Sequence, residues 1–376
     1  MDSFDYLSLL VVDIQGALRS VSLPRAYVSE KVLKDGIGFD ASNFGYRPGP
    51  RERHGRDARP VHRASSRSAR SSGSSTPSAT SGPPTASPSR SIPRAVARRA
   101  VEHLRASGDR RRQPRCSWSW SSTSSTTSAT HTTVDHSYYF VESAEGIGDE
   151  LRGRAALRPV QGLPPHGART TSTACSATEA VRAMEEAGIP VKYHHHEVGG
   201  LPARDRAELH APARAPRDAV VLSKWIIKSM ADELGLYVTF MPKPMYKIAG
   251  SGMHVHQFVE KGGKSIFPGE GLYGLSEAGL AYTAGVLSHA LSGSLLAWSN
   301  PSTNSYRRLV PGYEAPVSAT FAQGSRAAAV RIPGYLKKGE ARIEFRTGDA
   351  TANTYYFLAA MLLAGPGRRA RGTWTP

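Results

Sequence analysis

Hydrophobic and polar positions alternate in recognisable patterns over some stretches of the chain and lose all pattern over others. Two apolar runs, Tyr6–Ile14 and Ala17–Leu23, flank Gln15–Gly16 and predict a strand pair joined by a turn. Val28–Leu33 predicts a short helix ended near Asp35–Gly36, and IGFDASN a strand leaving into a loop. Val96, Ala100, Val101 and Leu104 fall on one face of a helix over 93–107. From Glu179 the patterning is nearly continuous. It predicts helices over 179–188, stopped by Gly188, and over 217–234. IPVKYHHHEVGG, YVTFMPKPMY and GMHVHQF read as strands, the second running into a proline-rich loop. A long buried helix is expected over Glu277–Trp298 and a loop over 300–316. AAAVRIP and ARIEFR read as strands, and ATANTYYFLAAMLLAG as a helix.

The other stretches share one vocabulary of Arg, Ser, Pro, Ala, Gly and Thr. Residues 47–91 hold almost no large apolar side chain and cannot offset their ordering entropy, so disorder is expected. Residues 109–134 and 149–176 read the same way, while SYYFVESAEGIG (137–148) looks folded. Such residue usage is what a GC-rich coding sequence gives out of frame; genuine insertions are the alternative.

Composition adds three constraints. The 376 residues allow two or three domains. The net charge is +17, but residues 47–135 alone carry seventeen Arg, no Lys and five acids. The charge belongs to that segment rather than to a basic face. Without interleaved stacking aromatics or a known binding module, nucleic acid is not an expected partner. Two cysteines, Cys116 and Cys175, exclude a disulfide framework and a four-cysteine zinc site. The N-terminus has acids where a signal peptide needs positive charge, and an intracellular, cytoplasmic protein is expected. The most apolar stretch, 279–298, reads as a core helix, so no membrane partner is expected.

Candidate chemistry gathers in the second half. In HHHEVGG, strand geometry puts His195 and Glu197 on one face; they could serve a divalent cation or a phosphate, or form a polar edge. In GSGMHVHQ, glycines allow close backbone approach, and His254 and His256 share a face with Val255 behind. In ARIEFR, Arg342, Glu344 and Arg346 face one way, as an ion-pair ladder or as a metal carboxylate beside anion-binding arginines. The 300–316 loop adds Arg307, Arg308 and Glu314, and SRAAAVRIP adds Arg326 and Arg331. Four arginines (308, 326, 331 and 346) around carboxylates and histidines fit phosphoryl transfer. No Walker A loop is present.

Together KVLKDGIGFDAS, SAEG, GIPVKYHHHEVGG, FMPKPMY, GSGMHVHQ, NPSTNSYRRLVPGYEAP, SRAAAVRIP and RIEFRTGDATANTYYFLAAMLLAG closely resemble glutamine synthetase of the bacterial type I form. The resemblance implies an α+β fold. An N-terminal β-grasp domain (1–91) would precede a catalytic domain (92–376) with a curved antiparallel sheet flanked by helices. It implies ATP-dependent ligation of ammonia to the γ-carboxylate of glutamate through γ-glutamyl phosphate, in a homo-oligomer of two stacked hexameric rings. The same fold also serves γ-glutamylpolyamine synthetases, and a catalytically impaired relative is a further alternative. Carried over by position, Glu197, His254 and Glu344 are expected metal ligands for Mg²⁺ or Mn²⁺. Gly250 and Gly252 would receive glutamate, with Arg308 and Arg346 near its carboxylates. Arg326 and Arg331 would hold phosphates, and His195 and His256 would line the nucleotide region. Glu314 would close the site and take a proton from ammonium, and Asp40 would reach a neighbour's ammonium site.

The sequence also departs from the family. The strand after the 93–107 helix should carry two metal carboxylates; here it reads RQPRCSWSWSST, and Asp109 and Asp135 bracket a stretch without acids. A further ligand is expected eight residues after Glu197, where the family pattern is broken and Asp205 or Glu208 would substitute. Weak metal binding is the expected consequence. The chain also stops soon after the last predicted helix.

Overall fold

The computed structural model describes residues 5–35, 37–39, 55–58, 92–106, 112–125, 127–142, 172–196, 205–209, 216–337 and 340–365. Its centre is a mixed eight-stranded sheet. Along the main path the order is β14 (Ser318–Gln323), β15 (Ala328–Ile332), β16 (Ile343–Phe345), β12 (Met253–Lys261), β5 (Arg112–Ser121), β10 (Asp205–Leu209) and β9 (Val191–His196). The short β13 (Lys264–Ser265) pairs with β12, and only the β14–β15 pair is parallel. Four two-stranded ribbons surround the sheet. β1 (Tyr6–Val12) pairs with β2 (Leu18–Pro24), and β3 (Ile37–Phe39) with β4 (Gly55–Ala58). β6 (Thr123–Ser125) pairs with β11 (Tyr237–Thr239), and β7 (Thr127–Thr132) with β8 (Ser137–Glu142).

Among the described residues are eight α-helices, α1 (Glu30–Asp35), α2 (Pro93–Ala106), α3 (Ser172–Glu186), α4 (Pro216–Glu233), α5 (Glu277–Leu291), α6 (Leu296–Ser299), α7 (Thr303–Arg308) and α8 (Thr354–Ala364), and two short 3-10 turns. None is long and apolar enough to cross a membrane.

The core forms because four strands each turn an apolar residue to the same side. Trp118, Val255, Phe345 and Val330 are successive cross-strand partners on β5, β12, β16 and β15. Cross-strand partners share a face, so these four make one apolar row. All four are fully buried. Phe357 of α8 meets Trp118 and Phe345 edge-on, with ring centroids 5.8 and 6.0 Å apart. Arg94, Asp218 and Tyr355 then join α2, α4 and α8. Arg94 Nε donates to Asp218 Oδ1 at 3.1 Å, and the Tyr355 hydroxyl donates to the same oxygen at 2.5 Å. Burial raises the Tyr355 phenol well above its ordinary pKa.

The β1–β2 turn docks on the start of α8. Asn353 caps that helix, its side-chain oxygen accepting from the Tyr355 and Tyr356 amides. Its amide donates back to the Asp13 and Ile14 carbonyls at 3.2 and 3.0 Å. A Cβ on Gly16 would stand 2.8 Å from the Asn353 backbone, which explains the glycine at this turn.

Five expectations change. Residues 55–58, inside the stretch expected to be disordered, form β4 beside β3, and 172–176, inside the stretch read as patternless, begin α3. The stretch 109–134 is not patternless: 112–121 forms the strand between β12 and β10. Its SWSWS alternation is a period-two signal carried by unusual residues. The expected helix to Trp298 stops at Leu291, because Gly293 takes φ 74° and turns the chain. The expected loop over 300–316 contains α7, nucleated by a capping box between Ser302 and Ser305. The expectations for 47–54, 59–91, 149–171 and 366–376 lie outside the described residues.

Trp118→Ala removes the largest member of the central row and is expected to cost about 3–5 kcal/mol of unfolding free energy, measured by urea denaturation. Lys224 donates to the Ala350 carbonyl at 2.6 Å; burial and Lys228 push its ammonium down to about 8, against the opposing pull of Asp349. The unfolded lysine keeps its proton to about pH 10.4. The unfolded state therefore holds more protons between those values, and stability is expected to rise with pH there. Lys224→Met should flatten that rise in denaturation series.

Candidate active site

The side of the sheet opposite the Trp118 row carries polar residues in matching rows. Ser117, His256, Glu344 and Arg331 are successive partners across β5, β12, β16 and β15. Ser119 is the partner of His254 in the next row. The same alternation that buries Val255 and Phe345 therefore brings His254, His256 and Glu344 together, as the spacing predicts.

Glu344 is fully buried. Arg346 Nη1 donates to its Oε1 at 2.6 Å. Arg331 Nε lies 2.7 Å from its Oε2, close enough for an ion pair though poorly angled for a hydrogen bond. His254 Nδ1 and His256 Nε2 lie 3.4 and 4.0 Å from Oε1. A carboxylate buried this deeply is tolerable only because two guanidiniums meet it.

Arg308, at the end of α7, supports the cluster from the side. Its Nη1 donates to the Thr347 and Gly348 carbonyls at 2.8 and 3.1 Å, and its Nη2 to the Arg346 carbonyl at 2.9 Å. The same Nη2 approaches His254 Nε2 at 3.4 Å. α7 is anchored in turn by Asn304, whose side chain accepts from the Lys243 amide and donates to the Lys243 carbonyl. The glycine loop packs directly on this arginine. A Cβ on Gly250 would meet Arg308 Cγ at 2.7 Å, and one on Gly252 would meet Arg308 Nη2 at 2.5 Å and His254 Nε2 at 2.8 Å. Both glycines are thus required by close approach.

Glu314 and Arg326 form the outer edge. Their side chains pair at 2.6 Å while half exposed, a contact worth little by itself. Arg346 reaches both backbones, donating to the Glu314 carbonyl at 3.1 Å and the Arg326 carbonyl at 3.3 Å. Glu314 takes φ 55°, an uncommon conformation for a non-glycine residue, and the Arg346 bond holds its carbonyl there. Beside it, Lys243 Nζ sits 3.9 Å above the Tyr313 ring centroid.

Of the sequence-predicted residues, Gly250, Gly252, His254, His256, Arg308, Glu314, Arg326, Arg331, Glu344 and Arg346 come together in these contacts. His195 lies on β9 at the edge of the sheet, stacked on Tyr193 and paired in register with Arg206. Asp40 and Glu197 lie outside the described residues. In backbone register Glu208 is the partner of Ser119, and Asp205 that of His196. Sequence reasoning missed Ser117 and Ser119 as members of the site face, and Lys243, Asn304 and Tyr313 as its supports. The SWSWS alternation was the available signal for the serines.

A family model, "Glutamine synthetase, catalytic domain", matches residues 90–367. The chain belongs to the glutamine synthetase family. A glutamine synthetase of Nostoc is 42% identical over 241 residues, 62% of this chain and 50% of that relative. One from Pseudomonas aeruginosa is 44% identical over 188 residues, 50% of this chain and 40% of the relative. The chain thus spans about half the length, or less, of the curated relatives it matches. A solved glutamine synthetase of Plasmodium falciparum has a TM-score of 0.79 at 21% identity, covering 96% of this chain and 71% of that one, which shows the shared fold.

Glutamine synthetases use divalent metals, and the fit of this chain's residues to one can be tested. Hard divalent ions need several oxygen donors. Of the two described carboxylates in the cluster, Glu344 has both oxygens facing guanidiniums and Glu314 pairs with Arg326. The strand on which the resemblance implies two carboxylates turns Ser117 and Ser119 to this face. Among the described residues no group of three His, Cys, Asp or Glu side chains is placed to hold a metal ion. The described residues do not fit a protein-held divalent cation. His254 and Glu344 stand 3.4 Å apart within this ion-pair cluster, and the third expected ligand, Glu197, lies outside the described residues.

Gly252→Ala is expected to displace Arg308 or His254 and cost about 1–3 kcal/mol, read in chemical denaturation. Gly334, exposed in a turn with open space around it and no positive φ, provides the control for Gly→Ala substitution.

Proposed function

We propose that the chain carries out ATP-dependent ligation of ammonia to the γ-carboxylate of glutamate. The arginine cluster around Glu344, in a chain of the glutamine synthetase family, is the observation that carries this reading. A carboxylate is a poor electrophile and an acyl phosphate a good one. The γ-carboxylate attacks the terminal phosphorus of ATP, and ADP leaves. Ammonia then attacks the acyl carbon, and phosphate leaves with the bonding electrons. ATP enters as its Mg²⁺ complex, so that ion arrives with the co-substrate.

The protein's own groups orient and neutralise. The backbone at Gly250 and Gly252, packed against Arg308, receives glutamate. Arg346 and Arg308 orient the substrate carboxylates, and Arg331 and Arg326 draw the phosphates. Glu314, at the exposed edge, takes the proton from ammonium, and Asp40 serves a neighbouring subunit in the same role. His195 and His256 border the nucleotide. This reading carries with it an N-terminal β-grasp domain over 1–91, a catalytic domain over 92–376, a cytoplasmic location and a ring-forming dodecamer. The comparisons do not favour the polyamine alternative: the relatives described above are named glutamine synthetases.

Phosphate release from the purified full chain is expected to require ATP, glutamate and ammonium together, with each omission abolishing it. Arg346→Lys, which loses the planar fork, is expected to lower kcat/KM by at least about tenfold. A soluble, folded protein that releases no phosphate under the complete mixture would overturn the proposal.

A further inference from the structure

We infer that Lys243 is a positioning residue for Glu314, acting through the face of the Tyr313 ring. The inference deepens the ligase proposal and rests on it for the role of Glu314 with ammonium. It concerns how that carboxylate is aimed.

The placement of Lys243 carries it. The residue is buried, at the mouth of the 242–251 loop, which closes where the Ser251 amide donates to the Pro242 carbonyl at 2.7 Å. The Lys243 ammonium donates across this loop to the Ile248 carbonyl at 2.5 Å. Its backbone is bracketed by Asn304 of α7, whose side chain accepts from the Lys243 amide at 2.7 Å and donates to its carbonyl at 3.0 Å. The same ammonium lies 3.9 Å from the Tyr313 ring centroid. A lysine charge is drawn to such a ring face, and most strongly when desolvated. Lys243 therefore grips the 304–313 segment at both ends, with Arg308 between them. It also ties that segment to the loop that leads into Gly250 and Gly252.

The segment needs such a grip. Gly312 takes φ 89° and Glu314 φ 55°, so the backbone is left-handed on both sides of Tyr313. Glycine adopts that conformation freely, but a glutamate holds it only where its surroundings fix it. Arg346 fixes the Glu314 carbonyl, and the ring on Lys243 fixes the residue before it. The Glu314 side chain pairs with Arg326 where both are half exposed, which adds little hold. Loss of the ammonium under Tyr313 would leave the sheet face intact and let Glu314 swing. The cost should fall on the substrate that Glu314 meets, which is ammonium.

The full chain is assayed for phosphate release with ATP, glutamate and ammonium varied in turn. Lys243→Met and Tyr313→Leu are each expected to raise KM for ammonium about tenfold, with KM for ATP and glutamate moving less than about twofold. Tyr313→Phe, which keeps the ring face, should stay within about threefold of wild type. Lys243→Met combined with Tyr313→Leu should fall within about twofold of the more affected single variant, as two halves of one contact require. Hydrogen exchange read by mass spectrometry follows the loop without turnover. The peptide over 309–317 is expected to exchange at least about fivefold faster in Lys243→Met and Tyr313→Leu, with β12 and β16 unchanged. Circular dichroism reports folding, and if Lys243→Met does not fold, the Leu and Phe variants at Tyr313 carry the comparison. Equal rises in all three KM values, additive effects in the double variant, or unchanged exchange over 309–317 would overturn the inference. A folded wild-type chain without turnover defeats the ligase proposal and with it the role of Glu314, while the exchange comparison still decides whether Lys243 holds the loop.

Discussion

The site depends on one buried carboxylate. Glu344 has no exposed surface and sits between Arg346 and Arg331 at 2.6 and 2.7 Å. Desolvating such a charge costs several kcal/mol unless opposite charges meet it. The two arginines therefore must remain where they are, and Arg346 transmits that constraint outward. Its other nitrogens hold the Glu314 and Arg326 carbonyls, while its own carbonyl accepts from Arg308. The segments around 308–314 and 326 thus meet the 344–346 strand at one residue.

The sheet makes this arrangement possible. The alternation that buries Trp118, Val255, Phe345 and Val330 on one face aligns Ser117, His256, Glu344 and Arg331 on the other. Core and site are two faces of the same registers. A one-residue slip of β12 or β16 would exchange them, placing Glu344 in the apolar layer. The register is therefore specified by hydrophobic burial, and the site chemistry inherits its precision from the core.

Much of this was legible in the sequence, for physical reasons that differ by residue. The alternations around His254 and Glu344 announced both their strands and their faces, because one side of each is plainly apolar. The β1–β2 turn was visible in Gln15–Gly16, and α2 in its periodic face. α7 was hidden inside a segment rich in turn residues; its capping box uses Ser at both positions rather than the more recognisable Ser and Glu. β5 was hidden because its alternation runs through Ser and Trp amid a low-complexity stretch, and composition outweighed period. The helix break at Gly293 was missed because the apolar run continues through it. The carbonyl contacts of Arg308 are long-range and leave no local signal.

The direct test of this account is a double-mutant cycle between Glu344 and Arg331, read by chemical denaturation with Glu344→Gln, Arg331→Met and the combined variant. If the buried pair organises the site, each single change strands an uncompensated charge or donor. The double variant should then lose less than the sum of the singles, with a coupling of about 2 kcal/mol or more. Additivity within about 0.5 kcal/mol would contradict the account, because the carboxylate and guanidinium would then contribute independently.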